Sequence, residues 1–260
     1  MIKIIDKEFK LFDEFKIFCK RDSFGTRIYS HYLCYGYEYN FVDFWVQIVD
    51  NIVVSAVCRL DADFVICACE NSDFSELSAF LNFQDKLSVT FDFRHKDDII
   101  IDYNAQSFGD VLKIENIKGD IRDYPMITPE LKEYHELLLT CKSSDFYVPE
   151  YMQFLSDVSR RQARDMCTIY GIKSNDTLVS CAMTVSYTEN SVILGAVATH
   201  PDHRKHGYAG AIVKSLADKF MSEKDVYIYT TIEKNTRFYE SLGFCVTGKW
   251  IKYLMGDNIE

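Results

Sequence analysis

Between His200 and Gly210 the chain reads His-Pro-Asp-His-Arg-Lys-His-Gly-Tyr-Ala-Gly. Arg204 and Lys205 bring two fixed positive charges, and Asp202 is the one carboxylate among them. A guanidinium and an ammonium both pair with phosphate oxygens. Gly207 and Gly210 carry no Cβ and Ala209 only a small one, so the backbone from Arg204 through Lys205, His206, Gly207 and Tyr208 can approach a bulky ligand closely. Such a stretch has the chemistry of an anion site.

Elements on either side must hold these residues. Ser191 to Thr199 is an apolar run rich in β-branched residues and predicts a strand. Ala211, Ile212, Leu216, Ala217 and Phe220 recur at helical spacing, and predict a helix directly after the glycines. A loop that feeds a helix presents unpaired N–H groups and the positive end of the helix dipole. The anion reading and the element pattern therefore agree. The alternative is a solvated basic helix start whose glycines serve only the turn. His200, His203 and His206 also admit a metal reading, but three ligands on one turn lack an inward geometry, and no metal is expected.

The spacing Arg204-x-x-Gly207-x-Ala209 fits neither the P-loop nor the dinucleotide glycine fingerprint. It resembles the acyl-CoA loop of the GNAT superfamily of N-acetyltransferases, Arg/Gln-x-x-Gly-x-Gly/Ala. The stretch Asn235-Thr-Arg-Phe-Tyr239-Glu-Ser-Leu-Gly243-Phe244 is similar to that family's second cofactor motif, Asn-x-x-x-Tyr-x-x-x-Gly-Phe. The clear resemblance covers about residues 145 to 250.

The resemblance implies acetyl-CoA as cosubstrate and a primary amine, on a small molecule or a peptide, as acceptor. It further implies a splayed pair of parallel strands, here 193–199 and 226–232, with the pantetheine arm between them. Main-chain groups of Val197 and Thr199, on either side of Ala198, would bond that arm, and N–H groups from Arg204 to Ala209 would hold the pyrophosphate. Asn235 would meet the pantetheine or adenosine side, or serve as N-cap of a helix over 235–242. Tyr239 would protonate the departing thiolate; its alternative is a plain core position beside Phe238 and Phe244. Many relatives carry a glutamate base on the strand before the loop, but 191–199 holds no carboxylate, and Glu189, Glu233 and His200 read as surface. No base is assigned. Arg160, Arg161 and Arg164 read as a solvated helix face.

The 260 residues are 48% hydrophobic, enough for a packed core in one large or two ordinary domains. Net charge is −10, which excludes a broad nucleic-acid surface and speaks against a tRNA-borne donor. Nine scattered cysteines without a C-x-x-C read as free thiols in a reducing compartment. Charges break up the N-terminal segment, and no apolar run reaches the roughly 18 residues of a membrane span. A cytoplasmic protein is expected, without nucleic-acid or membrane partners; the oligomeric state is open.

Both halves repeat one pattern: helices, a three-strand meander, a helix and a strand. In the first, 7–20 predicts a helix, 22–40 is polar and aromatic, 42–49, 52–60 and 64–69 predict a meander, and 76–81 a helix capped by Asp73. Strands follow at 87–91, 99–103 and 111–117. In the second, helices at 130–141 and 150–165 precede a meander at 166–172, 178–187 and 191–199, and 244–254 closes the chain as a strand. The expected fold is α/β, two GNAT-like halves, each a mixed, largely antiparallel sheet flanked by helices. The division is 1–125, a degenerate GNAT-like domain, and 126–260, the catalytic one. The first half's counterpart of the glycine loop, Glu70 to Phe74, is acidic and lacks both Gly and Arg, so it would repel a pyrophosphate. The expected activity is acetyl transfer by direct attack in a ternary complex; the alternative is a non-catalytic acyl-CoA sensor or scaffold.

Overall fold

The computed structural model describes residues 1–143, 146–231 and 233–255. By contacts the chain forms two compact units, Met1–Val111 with Thr247 onward, and Leu112–Val246. The sequence halves 1–125 and 126–260 do not coincide with these units, because the last strand returns to the first unit.

The first unit contains β1 (Ile2–Ile4), α1 (Phe12–Phe18), α2 (Ser23–Tyr35), β2 (Val42–Val49), β3 (Ile52–Leu60), β4 (Asp63–Ala68), α3 (Phe74–Asn82) and β5 (Ser88–Asp92). To these it adds most of β6 (Ala105–Ile114) and of β11 (Phe244–Leu254). Its strands run β1-β2-β3-β4-β5-β11, with β4 and β5 parallel and the other pairs antiparallel. The meander's first turn uses Asp50 and Asn51 at φ 49° and 62°, left-handed positions that such short polar residues tolerate in tight hairpins. Phe64, Phe91, Leu77, Leu81 and Ile251 seal the core between α3 and the sheet.

One stretch without an expected element forms one here, and one expected strand is not formed. The stretch 22–40 contains helix α2, whose Ser, Gly, Thr and aromatic residues have weak helix propensity. Asp22 starts it by accepting from the N–H groups of Phe24 and Gly25, each at 2.9 Å, and burial of Phe24, Ile28 and Tyr29 holds it. The stretch 99–103 forms no strand: Ile99 and Ile101 are buried in the core, and this apolar alternation serves packing rather than a ladder.

The second unit contains α4 (Leu131–Thr140), α5 (Tyr151–Gln162), β7 (Ile169–Ser174), β8 (Thr177–Tyr187), β9 (Ser191–Thr199), α6 (Tyr208–Met221), β10 (Asp225–Thr230) and α7 (Glu233–Leu242). Its strands run β6-β10-β9-β8-β7. The expected strand 226–232 reaches Thr230, and Ile232 lies outside the described residues. Successive β8 residues enter different clusters, Ala182 with Ile212, Leu216 and Phe220 of α6, Cys181 and Met183 with Tyr134 of α4 and Phe154 of α5. Side chains alternate across a strand, so α6 covers one face of this sheet and α4 and α5 cover the other.

Each unit is thus a meander, a helix, and a strand parallel to the meander's last. The closing strands are exchanged: β11 lies beside β5, and the end of β6 beside β10. The α/β class, with mixed and largely antiparallel sheets flanked by helices, is as the sequence predicts.

Candidate active site

The site is built on one pair of strands that starts together and parts. β9 and β10 pair in parallel from Ser191↔Asp225 to Leu194↔Ile228, and no pairing follows although both strands continue. The cause lies in β9. Its register against β8 slips between Gly195 and Ala198, and Ala196 adopts φ 49°. A left-handed residue in a bulge bends the strand and leaves a carbonyl out of the ladder. Tyr134, fully buried on α4, donates its hydroxyl to the Ala196 carbonyl at 2.8 Å. A second slip on β8, between Thr184 and Ser186, is matched by a bond from Arg161 Nη1 to the Val185 carbonyl. Two bulges flank Gly195, and a buried side chain satisfies a carbonyl at each.

Beyond the bulge, the strand's alternation fixes which groups face the opened gap. The N–H of His200 bonds Val179 O of β8 at 2.9 Å, and Ala198 pairs with Cys181. Main-chain groups of Ala198 and His200 therefore face β8, and those of Val197 and Thr199 face away from it. The Thr199 carbonyl accepts from Arg204 Nε at 3.3 Å and Cys141 Sγ at 3.4 Å.

After β9 the chain makes one short 3₁₀ turn, Pro201–His203, then runs through exposed Arg204, Lys205, His206 and Gly207 into α6. Lys205 takes φ 67° and Gly207 φ 87°. Gly207 is the N-cap of α6, and no side chain caps this helix. Among the described residues, the N–H groups from Lys205 to Gly210 meet no protein acceptor, while Ala211 N–H opens the intrahelical bonds on Gly207 O at 3.0 Å. A row of free N–H groups at the positive end of a 14-residue helix favours an anion.

The equivalent helix of the first unit is finished differently. The Asp73 carboxylate caps α3 by accepting from Glu76 N–H at 3.0 Å, and Gln47 Oε1 accepts from Asp73 N–H at 2.9 Å. A carboxylate of the protein itself sits at that helix end.

Tyr239 lies on α7 with its ring packed on Phe238 and Phe244, at centroid distances of 5.1 and 6.0 Å. The residue is 7% exposed, and among the described residues its hydroxyl has no hydrogen-bond partner. Burial pushes the phenol pKa up, so it stays protonated. Asn235 is exposed in the first turn of α7, which begins at Glu233; it is not the N-cap that the sequence suggests, because the helix starts two residues earlier. Gly243 follows α7 at φ 112°, where an added Cβ would collide with the Asn116 carbonyl.

The arginines of α5 are not one solvated face. Arg161 is 5% exposed and held by Asp157 at 2.9 Å, the second slip of β8 giving it a part-buried acceptor in the Val185 carbonyl. Glu233 is exposed and pairs with Arg237, and His200 Nδ1 accepts from Asp202 N–H at 3.3 Å, so neither is poised as a base. His206 Nδ1 meets His203 O at 3.1 Å, and among the described residues no group of three His, Cys, Asp or Glu is arranged for a metal. No helix of the described residues is long and apolar enough to cross a membrane. Sequence reasoning missed Tyr134 and Arg161, since nothing local in a helical pattern reports a strand carbonyl opposite.

Tyr134→Phe keeps the ring on Phe154 but leaves the Ala196 carbonyl unbonded. Urea unfolding is expected to show a loss of about 1–3 kcal/mol. Ala196→Gly in that background should recover part of it, because glycine at this φ avoids a cost of about 1–2 kcal/mol. Unchanged stability of the first variant would remove the bulge from the account.

Residues 131–244 match the model of the Acetyltransferase (GNAT) family. No curated protein matches the chain. Solved structures align along nearly all of it. An acetyltransferase from the GNAT family of Colwellia psychrerythraea is 11% identical, with 98% of this chain and 100% of that one covered and a TM-score of 0.59. A tandem GNAT protein from the clavulanic acid biosynthesis pathway is 8% identical, with 99% of each chain covered and a TM-score of 0.62. A Drosophila protein is 11% identical, with 97% of this chain and 98% of that one covered and a TM-score of 0.69. At such identities the likeness is one of fold. The family match spans the parted strands, the glycine loop and α6 together: residues 131–244 are an acyltransferase domain of the GNAT family.

Proposed function

We propose that this chain transfers an acetyl group from acetyl-CoA to a primary amine of a small molecule or peptide, by direct attack in a ternary complex. One observation carries the proposal: the strand that parts from its neighbour leads straight into an uncapped helix N-terminus under a basic loop. An extended thiol arm ending in a diphosphate has the matching shape and charge.

In this reading the main chain of Val197 and the N–H of Thr199, carried on the strand that Ala198 anchors to β8, bond the pantetheine arm. N–H groups of Lys205, His206, Gly207, Tyr208, Ala209 and Gly210 hold the diphosphate with the Arg204 and Lys205 side chains, and Asn235 borders the arm from α7. Acetyl-CoA supplies the activated acyl group as a thioester. Tyr239, kept neutral by burial, donates its proton to the departing sulfur. The amine arrives uncharged or loses its proton to water, in keeping with a strand that carries no carboxylate.

The first half, 1–125, is proposed as a degenerate GNAT-like domain, since Asp73 occupies the helix end that would otherwise meet a phosphate. The nine free cysteines fit a reducing, cytoplasmic setting.

The test is release of CoA thiol from acetyl-CoA with a panel of small amines and amine-bearing peptides. Amine-dependent release is expected from at least one class. Tight binding of acetyl-CoA with no release across the panel would leave a sensor or scaffold instead.

A further inference from the structure

A segment ahead of the family-matched residues is strapped onto the loop. Lys118 N–H bonds Leu242 O at 3.0 Å, and Gly119 turns the chain at φ 66°. Lys214 of α6, 9% exposed, donates Nζ to Gly119 O at 3.3 Å and Asp120 O at 3.1 Å. Two residues on, Arg122 Nη1 and Tyr124 Oη both donate to His206 O, each at 2.9 Å, and the Tyr124 ring stands edge-on to Tyr208 at 4.9 Å. A Cβ on Gly207 would lie 2.8 Å from Arg122 Nη1, so the guanidinium rests directly over the bare glycine.

The anchor is a carbonyl, not a carboxylate. Arg122 is exposed and forms no ion pair among the described residues, so its charge is held in place without being neutralised. A guanidinium has five donors, and among the described residues only Nη1 is engaged, by His206 O and more distantly by Tyr124 Oη at 3.5 Å. Nε and Nη2 keep their N–H groups for a ligand. They do so beside a helix end that favours anions, in a chain of net charge −10 whose other cations are often paired with carboxylates.

We propose that Arg122 binds a phosphate of the CoA donor, as a second guanidinium in addition to Arg204, and thereby selects phosphorylated donors. This rests on the acyl-CoA reading of the loop. The phosphate is either the diphosphate or the 3′-phosphate, and the donor used separates the two.

Dissociation constants of CoA and of 3′-dephospho-CoA would be measured by calorimetry for the wild type, Arg122→Gln and Tyr124→Phe. Arg122→Gln is expected to weaken CoA binding roughly 10- to 100-fold, as loss of a charge-assisted bond does, with its melting temperature unchanged. Tyr124→Phe, which removes the neighbouring bond to His206 O and no charge, should weaken it less than about twofold. A loss that shrinks with dephospho-CoA places the guanidinium on the 3′-phosphate; an equal loss with both ligands places it on the diphosphate. Equal weakening by both variants would mean that Arg122 only holds His206, and would overturn the proposal, as would wild-type affinity in Arg122→Gln. A wild type that binds neither ligand would sink the acyl-CoA reading itself, and this inference with it.

Discussion

Tyr239→Phe is expected to lower kcat for acetyl transfer by roughly 10²- to 10⁴-fold, the usual contribution of a positioned acid. Its melting temperature should stay near that of the wild type, because among the described residues the hydroxyl has no hydrogen-bond partner to lose and the ring keeps its packing on Phe244. The combination separates chemistry from folding. Burial raises the phenol pKa above its ordinary 10, so the acid form persists throughout the neutral and mildly alkaline range. The wild-type rate should therefore show no alkaline loss from this residue below pH 10, with falling rates only as pH passes the raised value. The stability sign follows from the same shift: the unfolded phenol ionises first, so burial of Tyr239 stabilises fully below pH 10 and progressively less above it. Thiol-release kinetics across pH 6–10 on both proteins check the first point, and unchanged kcat in the variant would return Tyr239 to the core.

Gly243→Ala is expected to be the most damaging of the small substitutions. A Cβ there would sit 1.7 Å from Asn116 O and 2.9 Å from its carbonyl carbon, at a φ of 112° that other residues rarely adopt. Both obstacles are backbone, and Glu115 N–H bonds Gly243 O at 3.3 Å in the same contact, so no flexible side chain can give way. The loss should exceed about 4 kcal/mol, a large share of the roughly 5–15 kcal/mol by which domains are stable. Circular dichroism on heating, with Gly248→Ala as control at a site open within 4 Å, measures it. A variant melting with the wild type would contradict the close approach.

The strand, glycine loop and helix around residue 207 were legible because each leaves a local mark: a β-branched run, small residues beside fixed charges, and apolar residues at helical spacing. The tight hairpins were legible for the same reason, their Asp and Asn residues tolerating left-handed turns. What escaped was set by distant partners. Helix α2 depends on the Asp22 cap and on burial more than on propensity. Ile99 and Ile101 alternate like a strand but satisfy a core. Tyr134 meets a carbonyl 62 residues away and Arg122 one 84 residues away, and neither spacing leaves a trace in the chain. Gly243 was visible in a motif, while its cause, the Asn116 carbonyl, was not.

The most direct test of the central claim is thermal unfolding of the wild type and of Gly207→Val with and without acetyl-CoA. Valine cannot readily take φ 87°, and its side chain would displace Arg122 from the loop. At 100 times its dissociation constant acetyl-CoA should stabilise the wild type by about 2.7 kcal/mol and leave the variant where it was. No shift in the wild type at millimolar acetyl-CoA would contradict the assignment of the loop as an acyl-donor site.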